Sequence, residues 1–217
     1  MNRKSVENPK FLEFEKMFPP FLRDMETGLC IPQIAEGWEW CFDPTQSYVL
    51  EKVDGENTKI VVSNGVYEVF ARNQKTKGYV KVELGNPSYK YLMQGVANFI
   101  ASRKKTLKDG VYFGEVLGEN IQNNPYNLTS HLWYDFRPFK GGVEAYKDYP
   151  KTSNFEDWKE WVLSLQSLLN PEVEAEGVIF LNKEDGRMAK LRKDMFDLSY
   201  DKRTIAYAKA KKKNVSK

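Results

Sequence analysis

An α+β fold is predicted for this chain of 217 residues by three observations. Short runs with strand character recur along it, two of them joined across Ser63-Asn64-Gly65, a hairpin turn signal. Two stretches, Tyr89 to Ala101 and the segment following Asn154, carry apolar residues at the spacing of helices with one buried face. The length suits one large domain, or one domain with a small appendage, and is ample for a core.

In order, Phe11, Leu12, Phe14, Met17 and Phe18 read as a short helix stopped by Pro19-Pro20, followed by an irregular segment in which Trp38 and Trp40 pack. Ser47 to Glu51 is the first strand, Thr58 to Ser63 the second and Val66 to Ala71 the third. The helix at Tyr89 to Ala101 buries Leu92, Met93, Val96, Phe99 and Ile100, and the basic run Arg103, Lys104, Lys105 and Lys108 is its solvated end. Val111 to Val116 returns as a strand, Glu119 to Pro125 as a polar loop, and His131 to Phe136 as another strand. Ser153 or Asn154 caps a helix that buries Trp158, Trp161, Val162, Leu165, Leu168 and Leu169 and stops at Asn170-Pro171. Glu176 heads an apolar strand through Phe180, and a turn at Glu184-Asp185-Gly186 leads to Met188 to Lys193. If that last segment is a strand, Lys190 and Arg192 share a face.

Composition excludes several classes. The net charge of +3 announces no polyanion partner by itself, so local distribution must carry that argument. Cys30 and Cys41 have neither metal-site spacing nor the number of a disulfide framework, and are expected to be reduced, structural thiols. With His131 the sole histidine, no histidine cluster for zinc can be built, and any serine or cysteine triad would have to use it. The N-terminal MNRKSVENPK lacks a signal-peptide core and no apolar run is long enough to cross a bilayer, so a soluble, cytoplasmic protein with no membrane partner is expected.

The chemistry centres on Glu51-Lys52-Val53-Asp54-Gly55-Glu56-Asn57, a tight connection between two strands. A lysine near its reference pKa of about 10.4 has no lone pair at neutral pH, and becomes a nucleophile only beside other cations or when desolvated. Arg72 lies one hairpin downstream and could reach the same phosphate. Glu115, between Gly114 and Gly118 in an apolar strand, needs a metal, a hydroxyl or a cation to offset its burial. One aromatic of His131 to Phe136 could be a platform for a nucleobase.

Together these pieces resemble the covalent nucleotidyltransferase superfamily of polynucleotide ligases and messenger RNA capping enzymes, over Glu51 to about Phe196. Lys52-Val53-Asp54-Gly55 looks like motif I, Arg72-Asn73 like motif Ia, Glu115 within Phe113 to Gly118 like motif III, and Tyr134-Asp135-Phe136 like motif IIIa. Glu176-Gly177-Val178-Ile179 matches motif IV and Lys190-Leu191-Arg192 the paired-cation motif V. Asn57, with Gly118 and Ile121-Gln122 after motif III, is most similar to RNA ligases of the RNA ligase 2 type. Motif V usually carries two lysines; here the second position is Arg192, with Lys193 adjacent.

The resemblance implies antiparallel sheets flanked by helices around a nucleotide cleft. It implies an ATP-dependent RNA ligase active in RNA repair, which joins 5′-phosphate and 3′-hydroxyl ends through AMP held covalently on Lys52. Lys190 and Arg192 would assist that lysine. Glu51, Asn57, Arg72, Glu115 and Tyr134 would bind the nucleotide with them, Tyr134 stacking on adenine. Glu176, with Glu115, would serve the metal, Mg²⁺ or alternatively Mn²⁺. Residues 1–201 would form the nucleotidyltransferase domain and 202–217 a basic tail, with no separate C-terminal domain. A monomer is expected, or one joined by a helper subunit in place of that domain. The alternatives are a small ATP-dependent DNA ligase, and a ligase-like protein that binds nucleotide or strands without full sealing activity.

Overall fold

The computed structural model describes residues 16–73, 75, 78–136 and 145–200. The beginning of the expected N-terminal helix and the whole lysine-rich tail lie outside these residues. The chain forms two compact units, one built on the described parts of Val53–Glu144 with Ser167–Val173, the other on Met17–Lys52, Ala145–Gln166 and the chain from Glu174.

The second unit opens with β1 (Phe21–Arg23) and β2 (Cys30–Ile34), an antiparallel pair where an irregular segment was expected. Its turn is built by Asp24, whose carboxylate accepts from the backbone N–H groups of Glu26 and Thr27 and from the Thr27 hydroxyl, with Gly28 at a positive φ of 73°. Residues 16–18, the end of the expected helix, are not helical, and Phe18 instead bridges Ala189. Next comes β3 (Ser47–Glu51).

The first unit carries β4 (Glu56–Ser63), β5 (Val66–Arg72) and β6 (Tyr79–Lys81), then helix α1 (Lys90–Ser102), β7 (Gly110–Leu117) and β8 (Leu132–Asp135). These five strands form one antiparallel sheet in the order β6-β5-β4-β7-β8. Alternation along β4 sends Thr58, Ile60 and Val62 to a core that includes Leu92 and Val96 of α1, and leaves Asn57, Lys59 and Val61 half-buried on the other face. Gly95 permits the helix to approach, since a Cβ there would stand 2.7 Å from Val116 Cγ1.

Returning to the second unit, α2 (Phe155–Ser164) is capped by Asn154, whose side chain accepts from the N–H groups of Glu156 and Asp157. The helix stops before the expected Asn170-Pro171. Leu165 is already extended, and Leu168, expected in the core, is 47% exposed. Ser167, where the chain passes into the segment grouped with the first unit, organises a separate turn through its Oγ and the N–H groups of Leu169 and Asn170. Strands β9 (Gly177–Asn182) and β10 (Met188–Arg192) complete a three-stranded antiparallel sheet, β10-β9-β3. One face of it packs Val49, Val178, Phe180, Ala189 and Leu191 against Trp158 and Val162. Each side chain of that size buried is worth roughly 1.5–3 kcal/mol. Cys30 and Cys41 are buried, unpaired thiols in this core. Among the described residues no helix is long and apolar enough to cross a membrane.

Candidate nucleotide site

Lys52 continues β3 by one residue. Its N–H donates to the Gly177 carbonyl at 2.9 Å, so it stands beside the head of β9. The opposite face of the three-stranded sheet from the core carries Lys52, Lys190 and Arg192, because Leu191 and Ala189 point the other way. Lys52 Nζ lies 2.8 Å from Glu176 Oε2, and Arg192 Nη1 lies 3.7 Å from Glu176 Oε1. The other arm of the guanidinium, Nη2, is 2.8 Å from Asp194 Oδ2. Gly177 lies between Lys52 and Arg192, where the backbone of β10 closes tightly on it. A Cβ at Gly177 would stand 2.1 Å from the Leu191 carbonyl oxygen. The Lys52 and Glu176 side chains are 16% and 18% exposed, reachable yet mostly withdrawn from water.

The adjacent basic residue does something else. The Lys193 side chain is buried and its Nζ donates to the Leu165 carbonyl and the Glu174 carboxylate, at 3.0 and 2.9 Å. Arg192 therefore shares the face of Lys190, and Lys193 does not. Glu51 is 2% exposed and sits on the core face, away from the Lys52 side chain. There, burial and, secondarily, its charge push the Tyr146 hydroxyl well above the usual tyrosine range.

The first unit assembles the other expected residues in one row. Asn57 is paired with Glu115, and Glu115 with Tyr134, so the three side chains project from one face of the five-stranded sheet. One step beyond the Thr58–Ala71 pair brings Arg72 beside Asn57, and Arg72 is paired with Tyr79. Glu115 Oε2 accepts from the Gly55 N–H at 2.8 Å, and Tyr126 Oη accepts from the Asp54 N–H at 2.7 Å. Gly55 has no room for a side chain, since a Cβ would meet Leu117 Cδ2 and the Val116 carbonyl oxygen at 2.5 Å each. Tyr134 is 8% exposed.

Three residues of these arrangements carry no motif signal: Asp194, Tyr126 and Tyr79. The Tyr79 hydroxyl donates to Asn57 Oδ1 at 2.5 Å and is hydrogen-bonded by Arg72. Burial, chiefly, raises its pKa far above the usual value; the Arg72 charge opposes the shift and Glu115 adds to it. His131 is structural: its Nε2 meets the Glu119 carbonyl and its ring stacks on Tyr91.

Among the described residues no three acidic, histidine or cysteine side chains converge into a protein-only metal cage. A lone carboxylate such as Glu176 still fits Mg²⁺, which keeps several waters and takes phosphate oxygens as ligands.

Comparison with known proteins adds independent findings. The RNA ligase family matches residues 45–203. No curated protein matches the chain in sequence. Among solved structures, an apo mutant of Naegleria gruberi RNA ligase is similar at 16% identity and a TM-score of 0.51, covering 76% of this chain and 53% of that one. A second mutant of the same protein, with AMP and Mn, gives 16% identity and a TM-score of 0.50 over 76% of this chain and 54% of that one. The likeness is one of fold, an antiparallel-sheet architecture, and the chain spans about half the length of these structures.

Proposed function

From its membership of the RNA ligase family, to which this chain belongs, we propose that the protein is an ATP-dependent RNA ligase acting through lysyl-AMP. The observation that carries the reading is the cluster on the three-stranded sheet: Lys52 against Glu176, with Arg192 on the same carboxylate and Lys190 on the same face. The AMP and Mn in the similar Naegleria structure support an adenylate and a divalent cation as ligands here.

In this reading Lys52 Nζ attacks the α-phosphorus of ATP in line, the bond to the bridging oxygen breaks, and pyrophosphate leaves with its electron pair. Lys52 must first shed its proton. Paired to Glu176 it is held as ammonium, and only when the carboxylate turns to another partner do Arg192 and Lys190 favour the neutral amine. The same two cations stabilise charge on the α-phosphate oxygens and the leaving group. Glu176 is the residue we assign to Mg²⁺ or Mn²⁺, with Glu115 as a second carboxylate; the ion, when bound, neutralises phosphate charge. Tyr134 serves adenine, Arg72 a phosphate, and Asn57 the nucleotide. AMP then passes to an RNA 5′-phosphate, and a 3′-hydroxyl displaces it to seal the strand. We assign this activity to a nucleotidyltransferase domain within residues 1–201.

The test is incubation with Mg²⁺ and ATP or GTP labelled at the α-phosphate, read by denaturing gel and intact mass. Acid-labile AMP on the wild type, absent from a folded Lys52→Ala variant, is expected. An undiminished adduct in Lys52→Ala overturns the assignment, and labelling by GTP alone redirects it to capping chemistry. Sealing of 3′-ribose against 3′-deoxyribose ends separates RNA from DNA ligation.

A further inference from the structure

Tyr79 stands outside every motif, on a three-residue edge strand, yet its hydroxyl is tied to two residues of the row just described. The direction of those hydrogen bonds follows from chemistry. Arginine has donors and no acceptor. The Tyr79 oxygen therefore accepts from Arg72, and its only proton goes to Asn57 Oδ1. That fixes the Asn57 amide: the carbonyl oxygen is engaged, and the Nδ2 hydrogens, with no protein partner among the described residues, are left to donate. An asparagine without such a relay can turn its amide over and offer an acceptor instead.

We propose that Tyr79 is a positioning residue that sets Asn57 as a hydrogen-bond donor, so that this point of the sheet takes an acceptor oxygen of the bound nucleotide, on its ribose or its α-phosphate. The proposal deepens the RNA ligase reading and rests on it. It also explains why a hydroxyl largely removed from water is retained on an edge strand. Its ring already packs 5.9 Å from Phe113 and lies 4.8 Å from Lys59 Nζ, contacts that phenylalanine would supply equally well.

Tyr79→Phe is accordingly the informative variant, because it keeps the ring and deletes the relay. We expect an unchanged melting temperature and a rise of about 10-fold in KM for ATP in lysyl-AMP formation, the loss of one aligned hydrogen bond, with kcat little altered. In an Asn57→Ala background the same change should have almost no further effect, since the relay then has nothing to hold. With 2′-deoxy-ATP as substrate, a Tyr79→Phe penalty that disappears assigns the acceptor to the ribose; one that persists assigns it to the phosphate. A wild-type KM in Tyr79→Phe, or additive losses in the double variant, overturns the proposal. Should the wild type bind ATP·Mg²⁺ without forming an adduct, the ligase reading fails while the same cycle, read as Kd by calorimetry, still decides the role of Tyr79. Absence of any ATP binding by the wild type overturns both.

Discussion

The two sheets present their candidate residues in different ways. On the three-stranded sheet the side chains are charged, include residues at the ends of β3, β9 and β10, and meet directly as ion pairs where the strands close tightly at Gly177. On the five-stranded sheet they form a row, Tyr79, Arg72, Asn57, Glu115 and Tyr134, one from each strand, linked in part by directional hydrogen bonds. The first arrangement depends on strand spacing and charge, the second on register. A one-residue slip of any strand in the larger sheet would send its member of the row into the core.

Strand spacing gives the largest expected effect. In Gly177→Ala the new methyl group would meet the Leu191 carbonyl at 2.1 Å and Arg192 Cα at 2.7 Å, backbone atoms that cannot swing aside. We expect a loss of roughly 3 kcal/mol, the upper end for overpacking, together with loss of charging, by chemical denaturation and adduct assay. Near-native stability with full charging would mean that the close strand approach at Gly177 is dispensable, and the contrast between the sheets would collapse.

Arg192 and Lys193 sharpen it further, because adjacent cations on opposite faces should fail differently. Arg192→Ala should slow charging about 100-fold with little change in stability. Lys193→Met should leave charging intact and cost about 1–3 kcal/mol, since the Leu165 carbonyl and the Glu174 carboxylate lose their donor. Thermal melts and single-turnover charging on both variants separate the two roles, and a charging defect confined to Lys193→Met would reverse them.

What was legible in the sequence divides along the same line. Lys52, Glu176 and Arg192 are charged residues at strand ends and Lys190 lies mid-strand on the same face as Arg192, and their motifs read locally; the strand segments holding them lie close to where hydrophobic pattern puts them. Whether Arg192 or Lys193 faces Glu176 was not legible, because it turns on the residue at which β10 stops alternating. Tyr79 and Tyr126 were invisible for a physical reason. A tyrosine in a short edge strand or a polar loop has the same local signature whether its hydroxyl meets water or a backbone N–H, and only the tertiary fold supplies the partner. The β1–β2 hairpin was hidden likewise, since its turn is set by one aspartate side chain rather than a dipeptide signal. The early end of α2 reflects Leu165, apolar and at the right spacing, leaving helical dihedrals so that Ser167 can organise the next turn.

The smallest effect tests whether the two faces of the larger sheet are independent. Glu56 precedes Asn57 on β4 and so alternates to the opposite face, yet it lines a cavity of about 360 Å³ that also reaches Arg72 of the row, with Lys75 and Tyr89. Burial holds its carboxyl above the ordinary value. The folded state thus disfavours the ionised form. Below the ordinary value the group is protonated whether folded or unfolded and costs nothing; the cost grows as pH rises through the window between the unfolded and folded values, and is complete above it. Glu56→Gln should therefore melt slightly higher than wild type at pH 7, and the difference should vanish near pH 4. Charging should change little, because the glutamate shares no face with Asn57, Glu115 or Tyr134 and meets the row only at Arg72. A charging defect in this variant, at unchanged stability, would show that the cavity acts on the row through Arg72, and that register alone does not isolate it.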